Sequence, residues 1–259
     1  MVNILRKLFR SLYYAVYGKG GKVIKINNED YNVSAYVARG INSVIDEVPL
    51  ELLVNLCRNA DMVLDVGGNI GVVAMIVAKK MKPGSRMHSF EPGPGAFRYL
   101  ADNARVQSGN AKITAHNYAI SNENGKIQFT DGADATTNHI ADQANANTVA
   151  IDAITIDWFC EKHKIAPQVI KVDIEGAEYW ALEGMQQTLK NNNCRVLMEI
   201  HQTFLQEHNI DSKMFGQIID AVGYKVYNEQ GKQVGNDQVM YNTCVILSRD
   251  YPGDDVFKI

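Results

Sequence analysis

One stretch constrains this chain more than any other: Val63-Leu64-Asp65-Val66-Gly67-Gly68-Asn69-Ile70-Gly71, a short apolar run that ends in glycines. Val72 to Lys80 then continues at helical spacing. Glycines between a strand and a helix let the backbone turn tightly and let a ligand come against the main chain. The helix N-terminus behind them adds donors and a field that favours a carboxylate or phosphate. By itself the stretch is also what a plain glycine turn in an α/β protein looks like. It departs from the dinucleotide fingerprint Gly-x-Gly-x-x-Gly, because Asn69 stands at the second glycine and Val72 at the third.

The rest of the chain supplies the alternation that such a turn needs. Arg86 to Phe90, Lys112 to His116, Val169 to Asp173 and Arg195 to Ile200 read as strands. Helical patterns over Ala96–Ser108, Tyr179–Lys190 and Ser212–Val222 follow three of them, and Ile156–His163 reads as another helix. Tyr224–Tyr227 and Thr243–Leu247 read as a closing antiparallel pair. Strands alternating with helices imply right-handed crossovers and a sheet covered on both faces. The expected fold is α/β: a doubly wound, mostly parallel seven-stranded sheet with a closing antiparallel strand. Lys126–Thr130 and Thr148–Ile151 also read as strands, and the polar stretch 131–147 between them as a long surface loop.

Ahead of the glycine turn lie a hairpin, Val23–Ile26 with Tyr31–Tyr36, and a helix, Leu50–Cys57, with Pro49 near its first turn. The expected division is a helix-and-hairpin extension over 1–47 and one large domain over 48–259. In Met1 to Tyr17, Ile4, Leu8, Leu12 and Val16 share one helical face and Arg6, Lys7 and Arg10 lie mostly opposite. Such a helix docks on its own domain or on a second copy in a homodimer; the alternative is peripheral contact with an anionic membrane surface. A net charge of -3 provides no general attraction to nucleic acid. The four cysteines form no Cys-x-x-Cys pair, which removes zinc and thioredoxin-like readings and fits a reducing compartment, the cytoplasm. No apolar run approaches the ~20 residues that span a bilayer.

Polar residues then recur at strand ends. Glu91, in Ser89-Phe90-Glu91-Pro92, closes the second strand, where a carboxylate can accept both hydroxyls of a ribose. Asp173, Glu175 and Glu178 follow a later strand, and Glu199 and His201 the next. Each alone is more often a surface or structural group; several converging on one sheet edge mark a ligand site.

Together, Asp65-Val66-Gly67-Gly68-Asn69-Ile70-Gly71, Phe90-Glu91-Pro92 and Lys171-Val172-Asp173-Ile174-Glu175-Gly176-Ala177-Glu178 resemble the FkbM family of S-adenosylmethionine-dependent methyltransferases. Gly68 stands where that family commonly has alanine. The resemblance covers roughly Asp61 to His201. It implies S-adenosylmethionine as cofactor, with S-adenosylhomocysteine as product. Gly67 and its neighbours Asp65, Gly68, Asn69 and Gly71 would face its methionine part, and Glu91 its ribose. Asn117, Tyr118 and Ala119 would border the adenine, and Asp173 would lie near the sulfonium and the acceptor. It also implies an O-methyltransferase acting on a hydroxyl of a sugar, glycan or secondary metabolite.

An alcohol acceptor benefits from a base within hydrogen-bond reach. Asp173, His201 and Glu175 are the candidates, with Asp173 and His201 ranked first. Asp173, Glu175, Glu199 and His201 also offer donors to a hard divalent ion, but no spacing demands one, and the metal-free reading is preferred. Two rivals from other classes remain: a nicotinamide oxidoreductase on the same architecture, and a silent binding module that keeps the fold. The missing third glycine argues against the first, and the intact turn with Glu91 against the second.

Overall fold

The structure is a computed structural model that describes residues 21–26, 28–34, 47–130, 140–141 and 148–258. The helix expected over Met1–Tyr17 lies outside these residues, as does all of 131–147 except a short strand.

Strands β1 (Lys22–Ile26) and β2 (Glu29–Val33) form the expected antiparallel hairpin, with Ile24 opposite Tyr31. Ile26, Tyr31 and Val33 turn inward and join the core that also buries helix α1 (Glu47–Cys57). Strand β3 (Met62–Val66) follows, fully buried, and passes through the glycine turn into α2 (Val72–Lys80). Next come β4 (Arg86–Phe90), α3 (Pro94–Val106) and β5 (Lys112–His116). Pro94 sits in the first turn of α3, where its missing N–H is no loss.

The chain then leaves the main sheet. Strands β6 (Ala119–Ile120), β7 (Gly125–Thr130), β8 (Ile140–Ala141) and β9 (Thr148–Ile154) build a separate four-stranded sheet in the order β6-β9-β7-β8. The strands expected at 126–130 and 148–151 pair with each other there, in register from Gly125↔Ala153 to Thr130↔Thr148.

The main pattern resumes with α4 (Ile156–His163), whose Thr155 cap accepts the Trp158 N–H at 3.0 Å. It continues through β10 (Val169–Val172), α5 (Glu178–Glu183), α6 (Gln186–Asn191), β11 (Arg195–Glu199), α7 (Gln202–Glu207) and α8 (Ser212–Val222). Strands β12 (Lys225–Asn228) and β13 (Gln233–Val234), a 3₁₀ turn over Asn236–Tyr241 and β14 (Cys244–Ser248) complete it. The single helix expected over Tyr179–Lys190 is therefore two short ones. Gly184 is pressed against the Ser121 carbonyl, where a Cβ would lie 2.1 Å from the oxygen. The Asp157 carboxylate accepts the N–H groups of Gln187 and Thr188 and so starts α6 afresh.

The main sheet runs β13-β12-β14-β11-β10-β3-β4-β5. Its five strands from β11 to β5 are parallel, and β14 inserts antiparallel between β11 and β12. All seven expected strands are present, and the two-residue β13 makes an eighth at the edge. Alternation along each strand divides the core. Leu64, Val66, Ile170, Val172, Val196 and Met198 face the layer of α4, α6 and α8. Val63, Val169, Leu197 and Ile246 face α1 and α2. The four cysteines are buried and unpaired. Among the described residues, no helix is long and apolar enough to cross a membrane.

Candidate active site

At the carboxyl edge of the parallel strands, the glycine turn is held from three sides. The N–H groups of Gly67 and Gly68 both donate to the Phe90 carbonyl, at 3.0 and 2.8 Å. Gly67 has φ +85°, and a Cβ there would lie 1.7 Å from the Asp173 carbonyl oxygen. Only glycine allows the ends of β3 and β10 to come this close.

Lys171 locks the same junction from below. Its ammonium donates to the Gly67 carbonyl at 2.7 Å and lies 3.1 Å from Asp173 and 3.4 Å from Asp65. Asp65 in turn accepts the Ser89 hydroxyl at 2.5 Å. Burial alone would discharge Lys171, but Asp173 and Asp65 outweigh it and hold the ammonium above the usual lysine range.

A cleft opens above the turn. Gly67 and Asn69 line one wall, Glu91 and Pro92 the next, Tyr118, Ala119 and Phe129 a third, and Asp173, Ile174 and Glu175 the last. One Glu91 oxygen accepts the Asn69 N–H at 2.9 Å and the other the Gly93 N–H at 2.8 Å. Each oxygen keeps a further lone pair for a ligand hydroxyl. Burial pushes the Glu91 carboxyl up to about 7, against the pull of those two N–H groups and Lys171.

Of the residues singled out in the sequence, Gly67, Asn69, Glu91, Tyr118, Ala119, Asp173 and Glu175 face this cleft. Asp65, Gly68, Gly71 and Asn117 support it from behind. A Cβ on Gly68 would meet the Ser89 hydroxyl, and one on Gly71, whose φ is +88°, would meet Leu100 of α3. The Asn117 side chain donates to the carbonyls of Glu91 and Pro92 and so fixes the loop that carries the carboxylate. Phe129 had no sequence signal. It arrives on the separate sheet, through pairing that no local pattern reveals.

A second cleft lies across β10. Leu50, Leu53, Val73 and Leu197 line its apolar part, and Lys171, Asp173 and Glu199 its polar end. Asp173 belongs to both clefts.

Beside this junction, His201 Nδ1 lies 2.8 Å from the fully buried carboxylate of Glu178, and its Nε2 lies 3.4 Å from Glu175. Burial alone would lower the imidazole. The hydrogen bond to Glu178 and the charges of Glu178, Glu175 and Asp173 reverse this and raise it to about 9. These contacts favour the protonated imidazole. Asp173, Glu199 and His201 offer ligand atoms within 4.8 Å of one another. The donor types suit a divalent ion; Lys171 pairs with Asp173, and carboxylates flank both His201 nitrogens.

The raised His201 value has a consequence for stability. A folded-state value above the ordinary 6.5 stabilises the fold fully below pH 6.5, and that stabilisation disappears as pH rises through about 9. We expect the wild type to lose about 1–3 kcal/mol more than His201→Gln between pH 6 and 9.5 in urea unfolding. Parallel losses in the two proteins would remove the charged imidazole from the account.

Residues 65–233 match the family model described as the methyltransferase FkbM domain. Hexuronic acid methyltransferase AglP of Haloferax volcanii is 29% identical over 181 residues, which cover 65% of this chain and 72% of that protein. A solved FkbM methyltransferase from Methylobacillus flagellatus aligns at 19% identity with a TM-score of 0.44. The alignment covers 73% of this chain but only 44% of that one. An O-methyltransferase from Bacillus cereus, solved with S-adenosylhomocysteine, aligns at 10% identity with a TM-score of 0.45, covering 82% and 84% of the two chains. With the family model spanning the glycine turn, both clefts' shared Asp173 and the strands beyond, the chain belongs to the FkbM methyltransferases.

Proposed function

We propose that this chain transfers the methyl group of S-adenosylmethionine to a hydroxyl oxygen of a sugar acceptor. The observation that carries the reading is the placement of Asp173, shared by a cleft that Glu91, Tyr118 and Phe129 line and by a second cleft of different character. The sugar acceptor is supported by the hexuronic acid named for the Haloferax relative.

The first cleft fits the cofactor by its donors and acceptors. Glu91 has lone pairs for the ribose hydroxyls, Tyr118 and Phe129 offer faces for the adenine, and the backbone at Gly67 and Asn69 leaves room for the methionine part. When bound, S-adenosylmethionine supplies an already activated methyl group, so alignment and exclusion of water are the protein's main tasks. Asp173 accepts the hydrogen bond of the acceptor hydroxyl and takes its proton as the new carbon–oxygen bond forms. Lys171, 3.1 Å away, holds the Asp173 carboxylate in place. His201, held by Glu178, stays charged beside it and offsets the surrounding carboxylates.

Calorimetric titration with S-adenosylhomocysteine and, separately, with NAD tests the reading. S-adenosylhomocysteine should bind and NAD should not; the reverse would establish the oxidoreductase, and no binding of either the silent module. The affinity should also depend on pH. A ribose diol donates to the ionised form of Glu91, whose carboxyl sits at about 7 in the free protein. Binding should therefore tighten about tenfold from pH 6 to pH 8, and this dependence should vanish in Glu91→Gln. A pH-independent wild-type affinity would remove Glu91 from the ribose site.

A further inference from the structure

We propose that the second cleft is the acceptor subsite and that Glu199 makes it select a neutral pyranose over a uronate. The inference rests on the methyl-transfer reading above and adds the acceptor's charge, which the family match does not supply.

The cleft runs from α1 to the carboxyl ends of β10 and β11. Its character is split. Leu50 and Leu53 of α1, Val73 of α2 and Leu197 of β11 form an apolar surface, and Asp173 and Glu199 stand at the end nearest the first cleft. A pyranose has the matching division, a C–H face and a rim of hydroxyls.

The charges at the polar end are unevenly committed. Lys171 is occupied by the Gly67 carbonyl, Asp65 and Asp173. His201 is occupied by Glu178 and Glu175. Among the described residues, no hydrogen bond or ion pair engages the half-buried Glu199 carboxylate; burial first, then Asp173 and Glu175, work against its charge, and His201 and Lys171 favour it from their own ion pairs. An unpaired carboxylate at the mouth of an apolar cleft is an acceptor for ligand hydroxyls. With one sugar hydroxyl on Asp173, Glu199 can take another on the same ring. A uronate carboxylate brought to the same end would meet Asp173 and Glu199 with no uncommitted cation, which is the repulsive element that specificity requires. On this reading the chain differs from its Haloferax relative, named for a hexuronic acid.

Saturation-transfer NMR on the full chain, saturated with S-adenosylhomocysteine, tests the proposal. The probes are the methyl glycosides of glucose, galactose and mannose, and those of glucuronate and galacturonate. At least one neutral glycoside should bind, and the uronates should bind about tenfold more weakly or not at all. Glu199→Gln should narrow that gap by at least fivefold, and Glu199→Lys should reverse it. A wild type that binds uronates as well as neutral sugars, or a Glu199→Gln protein with an unchanged gap, would overturn the assignment. If S-adenosylhomocysteine binds and no glycoside does, the subsite fails while the methyl-transfer reading stands. If S-adenosylhomocysteine itself does not bind, both fall.

Discussion

Replacing Lys171 by methionine is expected to lower the free energy of unfolding by about 3–5 kcal/mol at neutral pH. Methionine nearly matches the length of lysine, so packing changes little. The charge does change. Asp65, with a side chain 4% exposed, and Asp173 would be left side by side with no cation between them. The Gly67 carbonyl would also lose its donor. Removing one partner of a buried ion network leaves the full desolvation penalty on the survivors. Adding Asp65→Asn should return part of the lost stability, because it removes one of the two stranded charges. Urea unfolding of the two single variants and the double variant decides the matter. A Lys171→Met protein within 1 kcal/mol of wild type would show that the network carries no net stabilisation.

Asp173→Asn is expected to reduce kcat by about 10²–10⁴-fold, the range for loss of a positioned base. The amide keeps the shape of the carboxylate and can still accept from Lys171, so the two clefts should keep their walls. The affinity for S-adenosylhomocysteine should accordingly move by less than about fivefold. Single-turnover methyl transfer, followed beside a calorimetric titration, separates the two quantities. Equal losses in affinity and in rate would make Asp173 a cofactor ligand and leave the proton transfer to another group.

What was legible in the sequence was local. The turn at Gly67–Gly71 is written in consecutive residues, and backbone conformation there follows from glycine itself. Glu91 was found because a strand end and its carboxylate are adjacent in the chain. The helix over Ile156–His163 was readable too, and the side chain that caps it, Thr155, belongs to the same segment. What escaped depends on partners far away. The break at Gly184 comes from Ser121 and Asp157, each more than twenty residues distant in sequence. Phe129 reaches the first cleft only after β7 pairs with β9. Lys171 and Glu178 were visible as letters of a motif, but nothing nearby in sequence says that one is a buried cation between two acids and the other a buried partner for His201. Charge state has the same limit. Nothing in the sequence tells which way the His201 imidazole is shifted until Glu178 and Glu175 are placed on its two nitrogens.

The contacts made by the three glycines bear on how chains of this kind can be sorted. Gly67 is required by the Asp173 carbonyl, Gly68 by the Ser89 hydroxyl and Gly71 by Leu100, and these demands are made by the fold itself. A descendant that had lost its chemistry would still need them to fold. Their survival in a degenerate copy would therefore say nothing about turnover. The informative position is Glu199, whose carboxylate no hydrogen bond or ion pair engages among the described residues, so drift there would follow quickly once a ligand no longer called for it; Glu91 also holds the Asn69 and Gly93 N–H groups and is the less telling of the two.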